Sequence, residues 1–173
     1  MMINSIQGHI DPWWDEDFKQ LSYEYRPLKN VDDVERWKSE GYHNVTLNGG
    51  IVDMKILKDN MPDYAKPFMT VFDWEHVGIA FYKMKLLNLQ PLHQDHYIAY
   101  KKIINYQGDG SDIWRAVIFL EDWKSGHYIE VEGCPIMHWN KGDWVQWRYD
   151  TPHMAANIGT EDRYTVQITG IKK

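Results

Sequence analysis

Leu21, Tyr23 and Tyr25 alternate with polar neighbours, the period of a half-buried strand, and Pro27 ends the run. The period then lengthens. Asn30 stands where an N-cap is expected, Val31, Val34 and Trp37 follow at helical spacing, and Gly41 marks the stop. Asn48-Gly49-Gly50 is a turn signal. Pro62 to Phe72 opens with proline at a first helical position and reads as a second short helix, with Pro67 against it. From Gly78 the pattern changes to strands separated by short turns. Gly78 to Leu89, Tyr97 to Asn105, Trp114 to Leu120, His127 to Glu132, Trp144 to Tyr149 and Arg163 to Thr169 all read as strands. Gln107-Gly108-Asp109-Gly110, Trp123-Lys124-Ser125-Gly126 and Thr151-Pro152 read as turns, and Gly133 with Pro135 breaks the fourth strand. Met1 to Asp17 carries Trp13-Trp14 among acids, either as an arm laid on the core or as a loose tail. The rhythm predicts a sandwich or barrel of antiparallel strands, with the helices confined to the N-terminal part.

Length narrows this to one domain with a sizeable core: 1–77 an N-terminal extension with short helices, 78–170 the β core. Nine tryptophans suit a β-rich core or pocket walls. A net charge of −6 argues against bulk nucleic-acid binding. Cys134 is the single cysteine, which excludes an intrachain disulfide and a cysteine-built zinc site. Neither a signal peptide nor a membrane span is visible, so the expectation is a soluble, cytoplasmic protein.

The chemistry lies in Pro91-Leu92-His93-Gln94-Asp95-His96-Tyr97. On a strand, residues i and i+2 share a face, so His93 and Asp95 are expected to point together, with Gln94 and His96 pointing away. His153 stands sixty positions further on, and a jelly roll brings such distant strands side by side. Two imidazoles and one carboxylate form a face for a divalent metal with open positions, suited to Fe(II) and also to Mn, Co, Ni or Zn. His-x-Asp by itself is a weak signal among eight histidines. His96, His127 and His138 are more often plain core or surface residues, although His127 can line a cavity. Arg163 and Thr165 follow with strand spacing. Arg163 can grip a carboxylate with two parallel bonds, and Thr165 can add a hydroxyl donor. Alone, Arg163 is as readily a surface partner of Glu161 or Asp162. Arg115, Lys83 and Lys101 lie in expected strands, where charges usually face solvent, and are left outside the site.

His93-x-Asp95, His153 and Arg163-x-Thr165, in that order and with Arg163 ten positions after His153, resemble the Fe(II)/2-oxoglutarate-dependent dioxygenases. The prolyl and aspartyl/asparaginyl hydroxylase types are the nearest in pattern. Val117 to Trp123, the Gly142-Asp143 turn and the segment through Asn157 extend the likeness across about Gly78 to Gly170. There are two departures. Prolyl types commonly carry lysine where Arg163 stands, and aspartyl/asparaginyl relatives often lack the carboxylate ligand.

The resemblance implies a mainly β fold, a double-stranded β-helix of jelly-roll or cupin-like form, with short N-terminal helices buttressing one sheet. It implies Fe(II) on His93, Asp95 and His153, and 2-oxoglutarate as cosubstrate on Arg163 and Thr165. With O2, a small-molecule or peptide substrate would be hydroxylated as 2-oxoglutarate goes to succinate and CO2. Trp114, Trp123, Trp139, Trp144 and Trp147 are candidates for the pocket wall, though most such residues are ordinary core. Two alternatives stay open from the sequence. One is a cupin-like metalloenzyme that does not use 2-oxoglutarate. The other is a non-catalytic jelly-roll module binding carbohydrate on tryptophan platforms.

Overall fold

The structure, a computed structural model, describes residues 5–25, 31–42, 46–47, 50–53 and 61–173. Its strands in chain order are β1 (Ser5–His9), β2 (Glu24–Tyr25), β3 (Thr46–Leu47), β4 (Gly50–Asp53), β5 (Trp74–Met84) and β6 (Asn88–His93). After these come β7 (Ile113–Phe119), β8 (His127–Val131), β9 (Cys134–Ile136), β10 (Asp143–Arg148), β11 (His153–Asn157) and β12 (Arg163–Lys172). Among the described residues the helices are α1 (Val31–Ser39), α2 (Ile98–Ile103) and the 3-10 helices Asp17–Gln20 and Asp63–Met69. One sheet runs β1-β10-β7-β12-β5-β4-β2 and the other β3-β6-β11-β8-β9. All pairings are antiparallel except β3 with β6. This is a double-stranded β-helix, two facing antiparallel sheets.

The strand period of two sorts side chains into two cores. Ile79 and Phe81 of β5, Ala116 and Ile118 of β7, and Val166 and Ile168 of β12 face outward. Trp14, Phe18, Ala65 and Phe68, from the N-terminal arm and the 3-10 helices, cover them. Here the short helices buttress the seven-stranded sheet. On the inner side Val117, Phe119, Val145 and Trp147 meet Ile129, Val131 and Ala155 of the opposite sheet, with Phe119 stacked on Trp139 at 3.9 Å.

Several sequence expectations are corrected. The Tyr97 to Asn105 strand is the helix α2 with its flanks. Tyr97, Tyr100 and Ile104 fall at i, i+3, i+7 and pack together with Ile113, so helical spacing wins over alternation. The Gly78 to Leu89 strand is two strands joined by a turn at Lys85-Leu86-Leu87, with Leu87 at φ 62°. No glycine or proline announces it. Instead the Asn88 side chain accepts from the Lys85 N–H at 3.0 Å. Pro135 does not end the β8 region but sits in β9, an edge strand, where a missing N–H is tolerated. Leu21 and Tyr23 precede a strand of only two residues. The N-terminal segment is the arm rather than the tail. It adds β1 to the large sheet, and Trp14 donates to the Leu120 carbonyl at 3.1 Å. Gln94 donates to the Asp150 carbonyl at 2.5 Å. Pro27, Asn30 and the Asn48-Gly49 part of the expected turn lie outside the described residues.

Phe119→Ala should remove the ring that closes the inner core and destabilise the protein by about 3–5 kcal/mol. Urea unfolding of the two proteins measures this, and a loss below about 1 kcal/mol would contradict the packing described.

Candidate metal centre

His93 is the last residue of β6 and His153 the first of β11, and the two are paired directly across the antiparallel ladder. Between His153 and Ala155 the register slips: Ala155 opposes Gln90, so β6 holds one extra residue around Pro91-Leu92. This is a β-bulge at a proline, which has no ladder donor to lose. It leaves Leu92 exposed while Pro91 and His93 are buried. The two imidazoles then face each other with ring centres 4.3 Å apart.

Asp95 reaches them by a route other than the expected one. It lies beyond the end of β6 in irregular chain, so strand alternation does not place it. Its Oδ1 is 3.8 Å from His93 Nε2 and its Oδ2 is 3.5 Å from His153 Nε2. Nδ1 of His93 donates to the Pro91 carbonyl at 2.8 Å, and Nδ1 of His153 to the Thr151 carbonyl at 2.9 Å. A carbonyl only accepts, so each proton sits on Nδ1 and each Nε2 lone pair is turned inward, the second-sphere arrangement of ligating histidines. Gln90 Nε2 donates to His93 Nε2 at 3.2 Å and would have to yield to an ion.

The donor atoms of the three side chains all lie within 4.8 Å of one another. Two ligands on one ion at bond lengths near 2.1 Å are at most about 4.2 Å apart. Both carboxylate–imidazole distances, one through each oxygen, are inside that limit. With neutral imidazoles and one carboxylate, the set fits a divalent ion.

The electrostatics follow from burial and one cation. Burial alone would raise the Asp95 pKa, but Arg115, His153 and His93 outweigh it and hold the carboxyl at about 2. Burial takes the His153 imidazole down to about 4, against the pull of Asp95. Arg115, excluded on sequence grounds, lies on β7 with Nη1 2.7 Å from Asp95 Oδ2. Its guanidinium sits over the Tyr97 ring at 4.7 Å. Strand position suggested solvent, but Arg115 pairs with Trp147 and Thr169 on the two neighbouring strands and points inward. Lys83 pairs with Asp162 at 2.7 Å, and Lys101 lies in α2, neither at the triad.

Trp147 lies 4.8 Å from the His153 ring, and Trp37 of α1 stands edge-on to His93 at 5.9 Å while donating to the Leu92 carbonyl. Trp114, Trp123 and Trp144 pack elsewhere, against Lys172, His138 and Phe72 respectively. Trp37 was legible as a helix core residue but carried no signal of nearness to His93.

Arg163 and Thr165 are buried on one face of β12. Arg163 Nη1 donates to the Tyr128 carbonyl at 2.6 Å. The acids considered as its surface partners are taken: Glu161 by Lys124 at 2.9 Å and Asp162 by Lys83 at 2.7 Å. Among the described residues no carboxylate pairs with Arg163, and burial lowers its pKa to about 10. Buried polar atoms without a hydrogen-bond partner among the described residues gather in this interior: Arg115 Nε, Trp147 Nε1 and Thr151 Oγ1 near the triad, and Arg163 Nε further along. Such atoms are expected where a ligand completes the bonding. The loop that delivers Arg163 is itself fixed. Asn157 Nδ2 donates to the Met84 and Glu161 carbonyls, both at 2.8 Å, and the buried His127 Nε2 donates to the Glu161 carbonyl at 3.0 Å. His127 thus serves the loop and not the triad.

A cavity of about 330 Å³ lies elsewhere, lined by Lys19, Lys124, Lys141, Glu121 and Trp123, with its charges largely paired with one another. It has no metal-ligand set.

No protein-family model matches the sequence, and a search of curated proteins finds no match. Solved structures do match. A prolyl-4-hydroxylase from Pseudomonas putida aligns over 98% of this chain and 93% of its own, at 12% identity and a TM-score of 0.56. A 2OG-Fe(II) oxygenase family oxidoreductase from Burkholderia pseudomallei aligns over 56% of this chain and 42% of its own, at 13% identity and a TM-score of 0.42. A cupin domain from Bordetella pertussis aligns over 74% and 97%, at 11% identity and a TM-score of 0.42. At that identity the likeness to the prolyl-4-hydroxylase shows the fold alone. Among the described residues no helix is long and apolar enough to cross a membrane.

Acid should weaken the metal-free protein in two stages. His153 is protonated in the unfolded chain near 6.5 but in the folded one only near 4, so stability falls as pH drops between those values. Asp95 adds a second loss between 3.8 and about 2. Melting of chelator-treated protein from pH 7 to pH 3 should show the first decline, on the order of 1–3 kcal/mol, and His153→Gln should flatten it. A constant melting temperature from pH 6.5 to 4.5 would contradict a buried neutral His153.

Proposed function

We propose that the protein is a non-haem iron hydroxylase that uses 2-oxoglutarate and O2 and acts on a small-molecule or peptide substrate. The observation that carries this reading is Arg163, a buried guanidinium with no carboxylate of its own among the described residues. A buried cation is costly unless paired, so the fold keeps one here for an incoming anion. A cupin-like metalloenzyme that does not use 2-oxoglutarate would leave that cost unexplained.

The spacing supports the choice of anion. Tyr128, whose carbonyl receives Arg163, pairs with Ala156, three positions from His153 along β11. Three residues of strand are about 10 Å. A five-carbon dicarboxylate, with its 2-oxo acid end at the triad and its far carboxylate at Arg163, bridges such a length. Arg163 offers Nε and Nη atoms as a planar fork, and Thr165 lies on the same face for a hydroxyl contact.

An Fe(II) ion on His93 Nε2, Asp95 and His153 Nε2 would supply oxygen activation coupled to decarboxylation of 2-oxoglutarate to succinate and CO2. The protein's own part is to hold the ligands and to keep water out. The Pro91 and Thr151 carbonyls fix both imidazoles, and Trp147 and Trp37 wall them. Arg163 fixes the cosubstrate and Asp95 stays ionised beside Arg115.

With Fe(II) and O2 the protein should convert 2-oxoglutarate to succinate, and His93→Ala or Asp95→Ala should lower that rate at least about 100-fold. Arg163→Ala should raise the Kd for 2-oxoglutarate about 10- to 100-fold while metal affinity stays within twofold. Anaerobic titrations with metal and then cosubstrate separate the two, and unchanged cosubstrate affinity in Arg163→Ala would remove the assignment.

A further inference from the structure

Arg115 has no role in the reading above beyond its charge, yet its geometry is specific. Its Nη1 approaches one carboxylate oxygen, Asp95 Oδ2, at 2.7 Å, an atom also 3.5 Å from His153 Nε2, while Oδ1 lies on the His93 side at 3.8 Å from Nε2. Nη2 lies 3.5 Å from Thr169 Oγ1, and the guanidinium rests on the Tyr97 ring. The guanidinium is therefore fixed from two directions by β12 and by the chain leading into α2. Its side chain retains 15% of its accessible surface and that of Asp95 18%, although both lie between the sheets.

Asp95 needs such a partner. Unlike His93 and His153 it is not held by a strand ladder, and among the described residues no backbone N–H donates to its carboxylate; besides Arg115, the Tyr97 hydroxyl lies beside it. A carboxylate in irregular chain has free χ angles, and a metal that binds it must order them.

We infer that Arg115 is a positioning residue: by holding Asp95 Oδ2 it sets the rotamer of Asp95 and presents the other oxygen, Oδ1, to the metal as a single-point ligand. The inference rests on the triad being a metal site. A carboxylate bound through one oxygen leaves a coordination position that a two-oxygen grip would occupy, which a chelating cosubstrate requires. Two effects oppose each other here. A fixed outer partner raises the affinity of a site about 10- to 100-fold, whereas a guanidinium near a divalent ion repels it. The inference states that the first dominates, so the sign of the change on removing Arg115 decides it.

The test is anaerobic titration of the full chain with Mn(II) and with Co(II), followed by 2-oxoglutarate at saturating metal. Wild type, Arg115→Gln, Arg115→Lys and His93→Ala are compared, and far-UV circular dichroism with chelator present confirms each is folded. Arg115→Gln should bind metal about 10- to 100-fold more weakly, and the Co(II) visible spectrum should change as the carboxylate grip changes. Its affinity for 2-oxoglutarate once metal is saturating should stay within about threefold. Arg115→Lys, which keeps the charge and loses the planar fork, should fall between, and it carries the test alone if Arg115→Gln does not fold. Metal binding by the variant as tight as wild type, or tighter, overturns the inference. So does a loss of 2-oxoglutarate affinity as large as that of Arg163→Ala, which would make Arg115 an anion receptor instead. Wild type that binds metal no better than His93→Ala sinks the metal reading itself, a result distinct from either.

Discussion

The direct pairing of His93 with His153 is the constraint on which the interior depends. Antiparallel neighbours on one face have their Cβ atoms about 5 Å apart, so a single rung of ladder brings together residues sixty positions apart in the chain. The bulge at Pro91-Leu92 is what makes this rung work. Without the extra residue, every side chain of β6 after Gln90 would exchange faces, and His93 would stand where Leu92 is exposed. The proline is thus consistent with its surroundings at two levels. It gives up no ladder donor, and its carbonyl orients the imidazole two residues on.

Charge is distributed around that rung in a way no stability argument explains. Several cations among the described residues are paired with acids nearer the surface, as Lys83, Lys124 and Arg148 are. Two arginines instead point into the barrel interior. Arg115 is compensated by Asp95, itself a candidate ligand, and Arg163 by a single carbonyl. A fold selected for stability alone would favour apolar groups at such positions. Their retention is what the proposed binding of an anionic cosubstrate would account for.

The sequence showed much of this and concealed particular parts. Strands with strong alternation or dense β-branched content, such as β7, β8, β10 and β12, were legible because at least one face of each is buried. The three metal-ligand candidates and Arg163 were legible through order and spacing. Helix α2 was not, because Tyr97, Tyr100 and Ile104 satisfy a helical period while the same stretch is rich in strand formers. The β5–β6 turn was hidden because Lys85-Leu86-Leu87 has none of the residues that usually mark a reversal. Arg115 was misread for a different reason. The rule that strand charges face solvent holds for half-exposed sheets, and β7 lies between β10 and β12 with both faces covered. On such a strand an inward charge is expensive, and its partner, Asp95, cannot be found by sequence spacing alone.

Strand β12 shows how stability and chemistry share one segment. Tyr164, Val166 and Ile168 face the outer core and hold the arm and the 3-10 helices on the sheet. The alternate residues, Arg163, Thr165, Gln167 and Thr169, are polar and turn inward, from the guanidinium at one end to the hydroxyl beside Arg115 at the other. Six residues of strand span about 20 Å, so this single polar row runs from the Arg163 end of the interior to the neighbourhood of the triad. A one-residue slip of β12 would place Tyr164 and Val166 in the barrel and Arg163 in the outer core, losing both at once. The outer apolar face therefore fixes the register on which the inner polar face relies. That coupling explains why the interior can keep the poorly compensated Arg163: the energy that holds it in place comes from the other side of the same strand.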